Sequence, residues 1–168
     1  MTAVPDPAGI ELAQSILSPA LLDIFFEMQP SEIHHSLEIT RRLVASGETD
    51  PDLLAAALLH DVGKSRSPLD LWGRAIVVVA KRLIPGACRR WGASEDMRGL
   101  KRNFVVAEQH PDWGAEMAAA AGASKLTARL IDRHQEACKP VSKADLEMGV
   151  RTREDYLLYK LHLLDEES

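Results

Sequence analysis

Residues 53–59 are apolar without a break, and His60 and Asp61 follow at once. Asp50-Pro51 opens the stretch as an N-cap followed by a first-turn proline, so it reads as a helix. A helix that is apolar all round belongs inside a core rather than on a surface. The chain therefore carries an imidazole and a carboxylate to the end of a buried helix, and buried charges are costly unless paired or metal-bound. Gly63 is expected to let the chain turn away in the left-handed conformation, with Lys64 just outside. Taken alone, the doublet is equally well explained as a helix C-terminus, with a histidine near the negative dipole end and an aspartate meeting solvent.

The rest of the composition narrows the setting. A length of 168 residues suits one domain, 1–168, with a real core; residues 1–29 read as N-terminal packing helices and 30–168 as the helical part bearing the polar positions. Alanine and leucine are abundant and β-branched residues sparse, which favours an all-α fold. The net charge of -5 offers no basic field for a nucleic-acid polymer. The two cysteines, Cys88 and Cys138, make no disulfide framework and read as reduced thiols of a cytoplasmic protein. The first residues lack the basic and apolar regions of a secretory signal, and no apolar run is long enough to span a bilayer, so no membrane partner is expected.

In chain order, residues 7–28 read as one or two helices, restarted at Ser18-Pro19. The next runs from Pro30-Ser31 to about Ser46 and ends at Gly47, with Ile33, Ser36, Leu37, Ile39, Thr40, Leu43 and Val44 on one face. His34 and His35 flank that face, with a weak geometric preference for His35. After the central helix and a polar loop at Ser65 and Arg66, Ser67-Pro68 is expected to start a helix with Leu69, Leu71, Trp72, Ile76, Val77 and Leu83 as its core face. Residues 87–102 read as irregular, with a solvated basic set at Arg89, Arg90, Arg98, Lys101 and Arg102. A short helix over 103–109 is expected to give way at His110-Pro111 to a second over 111–121, ended by Gly122. Ser124 caps a helix to about Glu136, in which His134 continues the stripe of Leu130 and Ile131. Residues 137–150 form the longest connector. Thr152 and Asp155 resemble a capping box for the last helix, where Leu158, Leu161 and Asp165 share a side.

Collected, the polar residues at helix ends or on apolar stripes are His35, His60, Asp61, His110, His134 and Asp165. Four imidazoles and two carboxylates on different helices converge only if the helices bundle around them. Six protein ligands are too many for one catalytic metal that keeps an open position. They suit two ions sharing a bridging carboxylate, with Asp61 as the best bridge. Imidazole and carboxylate together suit divalent transition metals such as Fe, Mn, Zn, Co or Ni.

This ordered series resembles the HD-domain superfamily. The matching residues are His35 within HHSLEITRRL, His60-Asp61 within LLHDVGK, His110 within HPDWGAEMA, His134 within LIDRHQE and Asp165 within LLDEES. The resemblance implies an all-helical bundle and metal-dependent phosphohydrolysis, and the HPxxG step with its extra histidine is similar to the dinuclear branch. Two departures weigh against a cyclic-dinucleotide substrate: the GYP segment that follows the last histidines in cyclic di-GMP phosphodiesterases is missing, and Gln135 stands where many members have a second adjacent histidine.

On this reading the substrate is a nucleotide or another small phosphate ester. Asp61 would bridge the ions and orient the nucleophile, and Lys64 would bind a phosphate oxygen, although its spacing equally suits a lysine completing a helix C-terminus. Arg133 is a weaker candidate for anion contact. His162, three residues before Asp165, is either a support for the ligands or a helix-surface histidine. Two competing readings use the same pattern: a mixed-valent di-iron oxygenase, and a non-catalytic module that binds a nucleotide or a protein partner.

Overall fold

The computed structural model describes residues 6–94 and 97–167; the side chains of Leu71, Arg74 and Arg89 lie outside that description, so the core position expected at Leu71 and the basic one at Arg89 do too. Among the described residues every regular element is helical, as the composition implies. The elements are α1 (Pro7–Ile16), α2 (Pro19–Phe26), α3 (Pro30–Ala45), α4 (Pro51–Leu59), a 3-10 turn (Val62–Arg66), α5 (Leu71–Leu83), α6 (Pro85–Gly92), α7 (Lys101–Ala120), α8 (Lys125–Arg133), α9 (Lys143–Glu147) and α10 (Arg153–Glu166).

The helix starts follow from local chemistry. Asp6, Ser18, Asp50 and Ser124 each accept a hydrogen bond from a first-turn amide of the helix they precede. Such a cap satisfies a donor that the helix itself leaves unpaired. Thr152 and Asp155 form the expected reciprocal capping box, and Ser142 and Asp145 form a second one that starts α9 inside the 137–150 connector.

Helix α4 is the axis of the core. Every residue from Leu53 to Leu59 is buried, as its unbroken apolar run requires. Around it pack Ile39 and Leu43 of α3, Leu130 and Ile131 of α8, and Leu157 and Leu161 of α10. Ala13 of α1 and Phe25 of α2 belong to the same buried cluster. A smaller cluster of Val77, Cys88 and Phe104 joins α5, α6 and α7, with the Trp91 ring edge-on to Phe104 at 5.0 Å between centroids. Both cysteines are free thiols.

Several local expectations are corrected. Helix α5 starts at Leu71 rather than at Ser67-Pro68, because Asp70 supplies the cap by accepting from the Gly73 amide. Its expected core face points outward: Trp72 is 77% exposed and Leu83 73%, and Ile76 is exposed too, while Val77 is buried. Periodicity correctly identified an amphipathic helix, but the pattern cannot say which side meets the core. Residues 87–102 are not irregular throughout, since α6 reaches Gly92 and α7 begins at Lys101. The two helices expected around His110-Pro111 are one, a 20-residue α7 with Pro111 inside it. An internal proline forfeits a backbone hydrogen bond and crowds the preceding turn; here Pro111 and His110 are both buried, and tertiary packing overrides the local signal.

Gly63 is also needed for another reason than the one expected. Its φ is not positive. Instead, a Cβ built on it would lie 2.0 Å from the His110 carbonyl oxygen and 2.7 Å from the Gly114 amide nitrogen. The 3-10 turn and α7 pack backbone to backbone, and the glycine permits that approach.

Candidate metal centre

Helix α4 ends at His60, and Asp61 begins the 3-10 turn, so the doublet sits where the buried helix stops. Four further residues meet it there. His35 comes from the middle of α3, His110 from the middle of α7, His134 from the residue that closes α8, and Asp165 from the last turn of α10. The imidazoles form a run, His35–His60–His134–His110, with successive ring centroids 5.4, 5.2 and 5.3 Å apart. His60, Asp61, His110 and His134 are almost wholly excluded from solvent.

The donor atoms fall into two groups that could each hold an ion: His35, His60 and Asp165, and Asp61, His110 and His134. Asp61 lies between them. Its Oδ1 is 3.3 Å from His110 Nε2, and its Oδ2 is 3.6 Å from His60 Nε2.

The backbone sets which nitrogen faces the centre. His60 Nδ1 donates to the Ala57 carbonyl at 2.9 Å, His110 Nδ1 to that of Val106 at 2.9 Å, and His134 Nδ1 to that of Ile131 at 2.7 Å. A carbonyl only accepts, so each Nδ1 carries the proton, and in the neutral ring each Nε2 presents a lone pair. Metal-ligating histidines are oriented by this kind of bond.

A match to the family model described as HD domain spans residues 33–160. The chain belongs to the HD-domain family. No curated protein and no solved structure matches it.

Whether this HD domain's residues suit divalent ions, as the family implies, can be tested on the orphaned atom in the centre. His60 Nε2 is buried and has no hydrogen-bond partner. Asp165 Oδ1, at 3.5 Å, and Asp61 Oδ2, at 3.6 Å, are both too distant to hydrogen-bond it well. A buried polar atom left so costs about 1–3 kcal/mol. A cation would satisfy this nitrogen and both carboxylates at once, and the residues fit.

The electrostatics agree. Burial pushes His60 down, but the Asp61 and Asp165 carboxylates outweigh it and hold the imidazole up at about 9. Burial would raise Asp61, yet His60 and Lys64 keep it well below the usual carboxylate range. Asp165 is likewise lowered against its burial, by His35 and His60. His134 is pushed down to about 3 by burial and by the neighbouring His60 and His110. The carboxylates draw a proton onto His60, which a bound cation would displace, and His134 stays neutral.

The remaining sequence candidates separate clearly. His35, not His34, turns inward: its Nε2 lies 2.9 Å from Asp165 Oδ1, whereas His34 is exposed. Lys64 Nζ donates to Asp61 Oδ2 at 2.6 Å, which puts its ammonium beside the centre. Arg133 is engaged elsewhere, by Glu136 at 3.0 Å and Glu154 at 2.6 Å. Those contacts hold it in a surface ion-pair network. His162 Nδ1 lies 3.4 Å from the His134 carbonyl oxygen, and its Nε2 lies 3.4 Å from Glu166. It touches the backbone of a candidate ligand residue.

Sequence reasoning missed Glu32. It is 5% exposed, in the first turn of α3, with Oε2 3.7 Å from Lys64 Nζ. The available signal was its spacing, three residues before His35 on the same side of the helix. Gln135 Nε2, 3.4 Å from His110 Nε2, stands at the edge of the same centre.

Proposed function

We propose that the chain is a metal-dependent phosphohydrolase that cleaves a small phosphate ester at a two-ion centre. One observation carries the reading. Three imidazoles are anchored through Nδ1, and six side chains form two donor groups with an Asp61 oxygen turned towards each. His35, His60 and Asp165 would hold one ion, His110 and His134 the other, and Asp61 would be shared.

Divalent transition ions held there would lower the pKa of water towards neutrality and offset the charge on phosphoryl oxygens. The protein's own groups do the rest. The carbonyls of Ala57, Val106 and Ile131 keep the rings from turning, so the donor set is assembled before substrate arrives. Lys64 is a compact cation at the open side of the centre, with 31% of its side-chain surface exposed, and it binds a phosphoryl oxygen. Glu32 and Asp61 restrict where that ammonium can go. Gln135 offers a neutral amide donor beside His110.

The test is elemental analysis of protein purified without added metal, followed by phosphate-release assays on nucleotides and simple phosphate esters. About two transition ions per chain are expected, with activity removed by a chelator and restored by Mn²⁺. Metal-free protein that releases no phosphate after Mn²⁺ loading would overturn the reading. So would iron-loaded protein that consumes O₂ with a substrate and releases no phosphate.

A further inference from the structure

We propose that the ester cleaved at this centre carries an aliphatic group, held against a wall built from α5 and α7. The inference rests on the phosphohydrolase reading and names its substrate class. A cleft of about 330 Å³ opens beside the second donor group. Its polar end is formed by His110, Lys64, Glu32 and Gln135. The rest of its lining is Leu69, Val77, Val78, Lys81, Val106 and Ala107.

The two ends call for different chemistry. Lys64 and the donor groups suit a phosphoryl group. The rest of the lining comes from the segment before α5, from α5 and from α7, and it is aliphatic apart from Lys81. Lys81 is the one charged side chain that α5 adds to the described lining.

A nucleobase is held by hydrogen bonds to its edge and by flat aromatic or guanidinium surfaces. Among the described lining residues no aromatic ring is present apart from the His110 imidazole. Glu32 and Lys64 are paired with each other, which leaves Gln135 as the one neutral amide in the described lining. An alkyl chain needs only the aliphatic surface.

The mouth supports this. Val78 is 68% exposed although it lines the cleft, so a bound chain would cover apolar surface now facing water. Val77 and Val78 reach the cleft on the side of α5 opposite Trp72, Ile76 and Leu83. The outward turn of that helix is what places valines here.

The experiment uses the Mn²⁺-loaded protein and n-alkyl phosphates from methyl to octyl, with adenosine monophosphate alongside. kcat/KM is expected to rise roughly threefold to fourfold per methylene, from about 0.8 kcal/mol for each CH₂ buried, and to level off when the chain outgrows the cleft. Val78→Asn and Leu69→Asn are expected to flatten that rise. Both sites lie outside the fully buried core, and the wild-type series is informative without them. Turnover with no chain-length dependence, or with adenosine monophosphate preferred over hexyl phosphate, would overturn the aliphatic assignment and leave the phosphohydrolase reading standing. No phosphate release from any ester would sink both.

Discussion

Gly63 and His110 meet through their backbones: a methyl group on the glycine would lie 2.0 Å from the histidine's carbonyl oxygen. Gly114, one turn further along α7, faces the same turn, and a Cβ there would lie 3.2 Å from the Gly63 nitrogen. This contact brings the His110 ring to Asp61. It gives the glycines of HDVGK and HPDWG one shared physical purpose.

Gly63→Ala should therefore push α7 away from the doublet. A loss of at least about 2 kcal/mol is expected, at the level of an overpacked core, because backbone rather than a flexible side chain must yield. Urea unfolding measures the loss. Metal content of the folded fraction tests whether His110 has moved, and a variant of wild-type stability and wild-type metal content would refute the close approach.

Asp61→Ala removes the carboxylate turned towards both donor groups. It also leaves the Lys64 ammonium and the His60 imidazole without their shared anionic neighbour. Metal content should fall from about two ions per chain to one or none on the two-ion reading. Unchanged stoichiometry in elemental analysis would rule out the shared position.

Acid should weaken the fold through Glu48 and Asp52. Burial would raise Glu48, but the Tyr156 hydroxyl, donating at 2.8 Å, and Lys160, at 3.1 Å, outweigh it and lower its pKa. Asp52 is lowered against its burial in the same way, by Ser124, Thr127 and Arg153. A carboxylate with a depressed folded pKa binds fewer protons in the native than in the unfolded state. Its contribution is therefore complete above the ordinary carboxylate range and is lost as pH falls through the folded value. Urea unfolding between pH 7 and pH 3 should show stability dropping below about pH 4.5, the ordinary Glu48 value. Tyr156→Phe should cost about 2 kcal/mol at neutral pH and make this drop shallower. An unchanged pH profile in the variant would mean that the hydroxyl does not hold Glu48 down.

Trp72→Ala distinguishes the two orientations of α5. If this residue belonged to the core face expected from periodicity, truncation would cost about 3–5 kcal/mol. With the side chain 77% exposed, a change within about 0.5 kcal/mol is expected. Denaturant unfolding decides, and a loss above about 2 kcal/mol would mean that the indole is covered in solution.

The elements most legible in the sequence are those whose signals are local. Seven unbroken apolar residues require a buried α4, and caps such as Asp50, Ser124 and Thr152 mark where helices start. The doublet at the end of that helix, followed by histidines and an aspartate at helix ends or on apolar stripes, was enough to nominate six residues. The structure brings all six together.

What was hidden depends on which surfaces meet. The apolar stripe of α5 reads the same whether it faces the core or the solvent, so only packing shows Trp72 outside and Val77 inside. Pro111 looks like a helix break until α7 is seen running through it. Glu32 looks like a first-turn carboxylate until Lys64 arrives from another element. The carbonyls that orient His60, His110 and His134 carry no residue identity at all, because every residue has one. By itself the sequence determined the helical class, the family pattern and the chemical types at the centre, since these rest on short-range periodicity and residue identity. Tertiary structure alone decided which nitrogen of each ring faces inward, which cation stands beside Asp61 and which wall is aliphatic, because these depend on contacts between segments far apart in the chain.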